Sequence, residues 1–303
     1  MKVGLVLARR SRIAWASDTY PNSGEKKMKE SEQISAAKSL TSQARANALA
    51  YNLRDHGFQI SDGPLLTAEE TALVREHAKR VLNGIYETGV PPRTNTGGPD
   101  ASVHPAYIEA QMPQDCDDVI ASAIKHPGIA RWAAEISGAR RLKIWNAMVM
   151  EKRPSGGDKT KVGWHQDRRY NENITRGPTL TVWIALADVP SELGPVRYVA
   201  RSHLWNRRFQ TGFFDRDIER QEREFDIPAG EKWQAVEAVL PAGWAAAHGP
   251  DILHGSGENH GDAPRTSLLL SLGIDDFEVL PTHYFASRQG DPRAAPVIYP
   301  TTE

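Results

Sequence analysis

From Leu142 onward the apolar residues come in short runs with no helical pattern between them. Leu142–Met150, Leu180–Val189, Pro195–Ala200, Val236–Leu240 and Thr266–Gly273 each read as a strand, and polar or Gly/Pro-rich loops such as 153–162 and 171–178 separate the first of them. Short strands joined by turns predict a β-sandwich or a closed roll. The chain before Arg140 has a different period. Thr67-Ala68-Glu69-Glu70 is a capping box, and Val74, Ala78, Val81, Leu82 and Ile85 follow at helical spacing, with Gly89 expected to close the helix. Ile129, Trp132, Ala133 and Ile136 share one face of a second helix, which should end at Gly138. The expected fold is therefore mainly β, with a helical layer packed against one sheet.

The 303 residues suit one large domain or two small ones. Residues 1–44 are rich in Ser, Lys and Ala without a sustained apolar period, and read as a poorly ordered or loosely helical leader. A folded domain is expected over 45–285 and a C-terminal tail over 286–303. The apolar run Val3–Ala8 precedes Arg9-Arg10, the reverse of a secretory signal. An organelle presequence, an unstructured leader and a natural start at Met28 stay open, with a cytoplasmic location as the default. A net charge of -1 gives no support for nucleic acid or an anionic membrane as partner. No apolar run approaches the roughly 18 residues that cross a bilayer. The single cysteine, Cys116, cannot form an internal disulfide, and its acidic neighbours Asp115, Asp117 and Asp118 disfavour a thiolate.

The segment that points to chemistry is Trp164-His165-Gln166-Asp167. On a strand or at its end, positions i and i+2 face the same way, so an imidazole and a carboxylate converge. Two histidines and one carboxylate on one face of an octahedron leave three positions open, which suits Fe(II) with a bidentate 2-oxo acid and O2. His-x-Asp alone is a weak signal, and a structural histidine is the simpler reading, so a third ligand must be found independently. His254, at the end of a short apolar segment and before glycines, is the best third ligand. His248 could support the site from behind, His260 sits in a polar turn, and His203 reads as a turn-stabilising hydrogen-bonding group. Eleven residues after His254, Arg265 opens an apolar strand. A buried guanidinium requires an anion, and it grips a carboxylate with two parallel hydrogen bonds; the far carboxylate of a dicarboxylic acid and an internal salt bridge both satisfy it.

These residues resemble the phytanoyl-CoA dioxygenase family of Fe(II)/2-oxoglutarate oxygenases. The resemblance covers roughly residues 45–275. It rests on Asn52–Leu66, Trp164–Asp167, Thr181–Val189, Gly194–His203 and His254–Leu270, the last carrying a Gly-Ser-Gly-x-Asn turn between His254 and Arg265. It implies a double-stranded β-helix, a jelly roll of cupin type with helices outside. It implies His165, Asp167 and His254 as iron ligands and Arg265 as the clamp on 2-oxoglutarate, with Trp183, Met148 and Asn146 lining the cosubstrate pocket. Lys152 matches a common lysine of the family. Fe(II), 2-oxoglutarate and O2, with ascorbate assisting, would hydroxylate a small molecule and release succinate and CO2. Because Asp167 is present, hydroxylation is favoured over halogenation. Where the family has Pro-Gly-Ser-His, this chain has Ala200-Arg201-Ser202-His203, so substrate choice does not transfer. Arg168, Arg169 and Arg197, with Arg176 and Arg201, would form a basic rim suited to a small polar or anionic metabolite. A metal-dependent isomerase or lyase of cupin type, and a non-catalytic binding protein, are the other readings.

Overall fold

Alternation along three long strands, broken once in β4, divides the molecule into a packed core and an open cavity. The computed structural model describes residues 30–98, 106–154, 156–209 and 212–300. The larger sheet joins β1 (Phe58–Ile60), β10 (Ala245–His248), β7 (Thr179–Ala185), β12 (Arg265–Ile274), β4 (Leu142–Lys152), β3 (Tyr107–Gln111) and β2 (Thr94–Asn95) in that order, with β14 (Val297–Tyr299) also on β4. The smaller sheet runs β5 (Val162–His165), β11 (His254–Ser256), β8 (Val196–Val199) and β9 (Ala235–Glu237), while β6 (Thr175–Arg176) pairs β13 (Glu278–Val279). All these pairings are antiparallel. From β4 to β12 the chain passes back and forth between the two main sheets, as the expected jelly roll requires.

The helices are α1 (Glu30–Ala50), α2 (Leu53–His56), α3 (Ala68–Leu82), α4 (Asp118–Ala123), α5 (Pro127–Ser137), α6 (Arg168–Asn171), α7 (Ile218–Glu224) and α8 (Tyr284–Ser287). The α3 capping box forms in both directions: Glu70 N donates to Thr67 Oγ1 at 3.2 Å, and Thr67 N donates to Glu70 Oε2 at 2.8 Å. This helix stops at Leu82, earlier than expected, because Gly84 takes the left-handed conformation at φ 80°. Ile85 consequently leaves the helix and is half-exposed. Pro127 opens α5, and Gly138, at φ 68°, closes it as the sequence predicts.

Ala147 and Val149 of β4, Val182 and Ile184 of β7, and Leu268 and Leu270 of β12 turn outward onto Val74, Ala78, Val81, Ile129 and Ala133 of the helical layer. A fully buried Leu270 adds about 1.5–3 kcal/mol of apolar burial, and truncation to Ala costs about 2–5 kcal/mol. The intervening residues Met148, Met150, Trp183, Leu269 and Ser271 line the cavity instead. Between Ser271 and Leu272 the register with β4 slips, so that Ser271 pairs Asn146 and Leu272 pairs Ile144. Trp145 is the extra residue of this bulge, and it lines the cavity together with its neighbour Asn146.

The boundaries expected at 45 and 285 do not coincide with element ends. Helix α1 spans the first, with Leu40 and Ala44 buried. Beyond the second, β14 pairs β4 and buries Ile298 in the main core. The Val3–Ala8, Arg9-Arg10 and Met28 readings lie outside the described residues. Among the described residues, no helix is long and apolar enough to cross a membrane.

Candidate metal centre and its cavity

Strand β5 ends at His165, whose Cα partner across the antiparallel pair is His254, the first residue of β11. Their ring centroids lie 4.1 Å apart. Each ring uses Nδ1 on a nearby backbone carbonyl, Gly163 at 2.8 Å for His165 and Ile252 at 3.1 Å for His254. Both Nε2 atoms therefore point the same way, onto Asp167 Oδ1 at 3.7 and 3.5 Å. Asp167 reaches this point differently from expectation. The strand has already ended, and Asp167 has helical backbone angles (φ -59°, ψ -33°) where the chain turns into α6. The turn, rather than strand alternation, brings the carboxylate onto the imidazoles.

One donor atom from each of His165, Asp167 and His254 lies within 4.8 Å of the others, a set able to hold a metal ion. Burial pushes both imidazoles below their ordinary pKa, leaving their lone pairs free. Burial would raise Asp167, but His254, His248 and His165 outweigh it and keep the carboxyl ionised well below the usual range. The other oxygen, Oδ2, is taken up: Thr181 Oγ1 donates to it at 2.8 Å and His248 Nε2 lies 3.3 Å away. His248 in turn meets the Tyr198 hydroxyl at 3.2 Å through Nδ1. His248 thus steadies the carboxylate from behind. His203 contacts the Arg54 carbonyl at 3.1 Å, and His260 pairs with Glu258 at the surface.

The centre opens into a cavity of about 380 Å³. Arg265 sits in its wall, 3 % exposed, with Nη1 donating to the Gly194 carbonyl at 2.6 Å and its guanidinium 5.2 Å from the Trp183 ring. No acidic group pairs with it among the described residues, and its Nε has no partner. Burial lowers its pKa to about 10, so it stays charged at neutral pH. Asn146 Oδ1 and Trp183 Nε1 are also buried without partners. Such groups call for a polar occupant. A metal on the N/N/O set with an anionic chelator reaching Arg265 fits this donor set and this unpaired cation. Lys152 lies beside Arg265 across the β4–β12 pair and is fully buried. Its Nζ donates to Ser256 Oγ and to the Gly257 carbonyl, both at 2.6 Å. Burial and the neighbouring Arg265 hold it well below the usual lysine pKa.

Met148, Asn146 and Trp183 line the cavity as expected, but none of Arg168, Arg169 and Arg197 does. Arg168 forks onto Asp251. Arg197 pairs with Glu222 at 3.3 Å and lies over the Trp164 ring, and Arg201 pairs with Glu231. The expected basic rim is not assembled, because acidic side chains on adjacent elements draw these arginines away. The outer wall is instead Trp145, Tyr170, Ile174, Phe213, Phe214 and Phe285, with Glu109 as a carboxyl. Tyr107, Glu109 and Gln111 come from β3, whose alternating burial was present in the sequence as Tyr-Ile-Glu-Ala-Gln but was not read as a strand. Phe213-Phe214, an aromatic pair in a polar stretch, was the other missed signal. Cys116 is buried away from the cavity, with its thiol raised to about 12 by burial and then by Asp117. Arg201, at the position where the family usually has glycine, has φ 69°.

A jelly roll with a His-x-Asp…His set at one mouth defines a class of mononuclear metal proteins. The family model for phytanoyl-CoA dioxygenase matches residues 53–267, and the chain belongs to that family. A curated relative, the probable alpha-ketoglutarate-dependent hypophosphite dioxygenase of Stutzerimonas stutzeri, is 28 % identical over 165 residues. That match covers 52 % of this chain and 54 % of the relative, so the chain matches about half of the relative's length. Among solved structures, the epimerase SnoN from nogalamycin biosynthesis, in complex with Fe3+, alpha ketoglutarate and nogalamycin RO, shares the fold with a TM-score of 0.57 at 22 % identity. The alignment covers 82 % of this chain and 88 % of SnoN. The carbocyclase SnoK matches equally, with a TM-score of 0.57 at 22 % identity over 83 % of this chain and 92 % of SnoK.

Proposed function

We propose that this protein is an Fe(II)- and 2-oxoglutarate-dependent dioxygenase that hydroxylates a small organic molecule. One observation carries the reading: the N/N/O set of His165, Asp167 and His254 shares a cavity with Arg265, a buried cation lacking an anionic partner among the described residues. An isomerase or lyase of cupin type has a use for the first feature and none for the second. The family membership and the cosubstrate named for the Stutzerimonas relative support it.

His165, Asp167 and His254 would hold the metal, and Arg265 would hold the far carboxylate of the cosubstrate with Trp183 beside it. Iron with 2-oxoglutarate supplies O2 activation coupled to loss of CO2 and formation of succinate. The chain's own part is positional. The backbone contacts at Nδ1 fix both imidazoles in one tautomer with Nε2 free. His248 and Thr181 occupy Asp167 Oδ2, leaving Oδ1 for the metal. Trp145, Phe213 and Phe285 form an apolar wall that excludes bulk water and holds the target C–H bond toward the centre. Asp167 keeps a carboxylate in the ligand set, which favours hydroxylation over halogenation. Succinate release by the protein supplied with Fe(II), 2-oxoglutarate, ascorbate and O2 tests this. Slow uncoupled turnover, absent from His165→Ala and Arg265→Ala, is expected; equal turnover in Arg265→Ala would overturn the cosubstrate assignment.

A further inference from the structure

The outer cavity carries one charge that the metal centre does not use. Glu109 projects from β3 beside Tyr107 and is half-buried. It forms no ion pair among the described residues, and burial raises its carboxyl above the ordinary value although Tyr107 opposes this. Apart from Arg265 and the histidines of the centre, no basic side chain lines the cavity. Arg93 reaches Gln111 and the Phe285 ring from outside and is itself exposed. Glu109 pairs across the sheet with Met150, and the cavity it shares is lined with aromatic and aliphatic side chains, among them Trp145, Tyr170, Ile174, Phe213, Phe214 and Phe285. If the centre is loaded as proposed above, the charges of Fe(II) cancel those of the dicarboxylate and Arg265 cancels Asp167. Lys152, the strand neighbour of Arg265, is fully buried and spends its Nζ on Ser256 Oγ and the Gly257 carbonyl, so it does not reach Glu109. Glu109 is left uncompensated in a partly desolvated, π-rich compartment, where a carboxylate strongly favours a cation.

We infer that the substrate has a flat apolar body carrying a basic nitrogen, the body lying against Trp145, Phe213 and Phe285 and the ammonium on Glu109. An anionic metabolite, which the basic residues of the sequence suggested, meets like charge at Glu109 and no counter-charge on the outer wall. Aromatic faces add to ammonium recognition. The inference depends on the oxygenase reading only for the charge balance and for where the reacting carbon sits.

Three probes with a common naphthylethyl body separate the charge states: 2-(1-naphthyl)ethylamine, 2-(1-naphthyl)ethanol and 3-(1-naphthyl)propionate. They are titrated calorimetrically and anaerobically into protein holding Fe(II) and 2-oxoglutarate. The amine is expected to bind at least about tenfold more tightly than the alcohol, as a charge-assisted hydrogen bond allows, and the acid more weakly than either. Glu109→Gln should bring the amine-to-alcohol ratio to about one. Tighter binding of the acid, a wild-type ratio near one, a preference that survives in Glu109→Gln, or no binding of any probe would each overturn the inference. The wild-type ratio needs no variant to fold. Metal and cosubstrate loading are read separately by visible absorption, so amine preference without loading would count against the oxygenase reading alone.

Discussion

The two ends of the cavity are built by different means. At the inner end the key side chains are placed by strand register: His165 faces His254 across β5–β11, and Arg265 faces Lys152 across β12–β4. At the outer end, Trp145 and Glu109 still come from β4 and β3, but Tyr170 and Phe285 lie on four-residue helices, and Phe213 and Phe214 on the loop before α7. A ladder of backbone hydrogen bonds specifies relative positions to within a fraction of a residue, whereas loops can be rebuilt without disturbing it. The division separates the proposed metal and cosubstrate end from the proposed substrate end, and it can be attacked from either side.

The largest effect belongs to the inner end. Asp167→Ala removes a proposed ligand, and Co(II) affinity measured by calorimetry should fall by more than about 100-fold, the most that outer partners usually contribute. Arg265→Ala should weaken 2-oxoglutarate about 100-fold or more while leaving Co(II) binding within about threefold, since a buried charge loses its counter-charge. His248→Ala should weaken Co(II) about 10- to 100-fold by freeing Asp167 Oδ2, and His248→Gln, which restores a donor, should recover most of it. If all three variants bound Co(II) like wild type, the inner end would not be a metal centre.

Smaller effects are expected toward the mouth. Glu109 has a raised pKa in the folded state. Below the unfolded value both states bind the proton and no stability is lost. As pH rises from there through the folded value, the unfolded state ionises first and the folded state is destabilised. Glu109→Gln should therefore melt at a higher temperature than wild type at pH 7.5, with the difference vanishing near pH 4. Arg168→Ala should be the mildest change: its pair with Asp251 is about 40 % exposed on both sides, worth less than about 1 kcal/mol, and substrate KM should not move.

The same division governs what the sequence made legible. The triad and Arg265 stand in local patterns with fixed spacing, and the long strands β4, β7 and β12 announce themselves as apolar runs bounded by turns. The route by which Asp167 arrives was not legible, because a strand end and a helix start look alike over four residues. Trp145 reads as an ordinary strand residue, since a bulge depends on pairing with β12 and leaves no trace in β4 alone. The basic rim failed for a related reason: Asp251 is 83 positions from Arg168, and Glu222 is 25 from Arg197, so their pairing exists only in the folded chain.

The most direct test of the central claim is an anaerobic titration of the Fe(II)-loaded protein with 2-oxoglutarate, followed by visible absorption. A metal-to-ligand charge-transfer band that saturates at one 2-oxoglutarate per chain, is missing in Asp167→Ala, and needs far more cosubstrate in Arg265→Ala is the predicted result. Stoichiometric Fe(II) binding with no band at any 2-oxoglutarate concentration would contradict it.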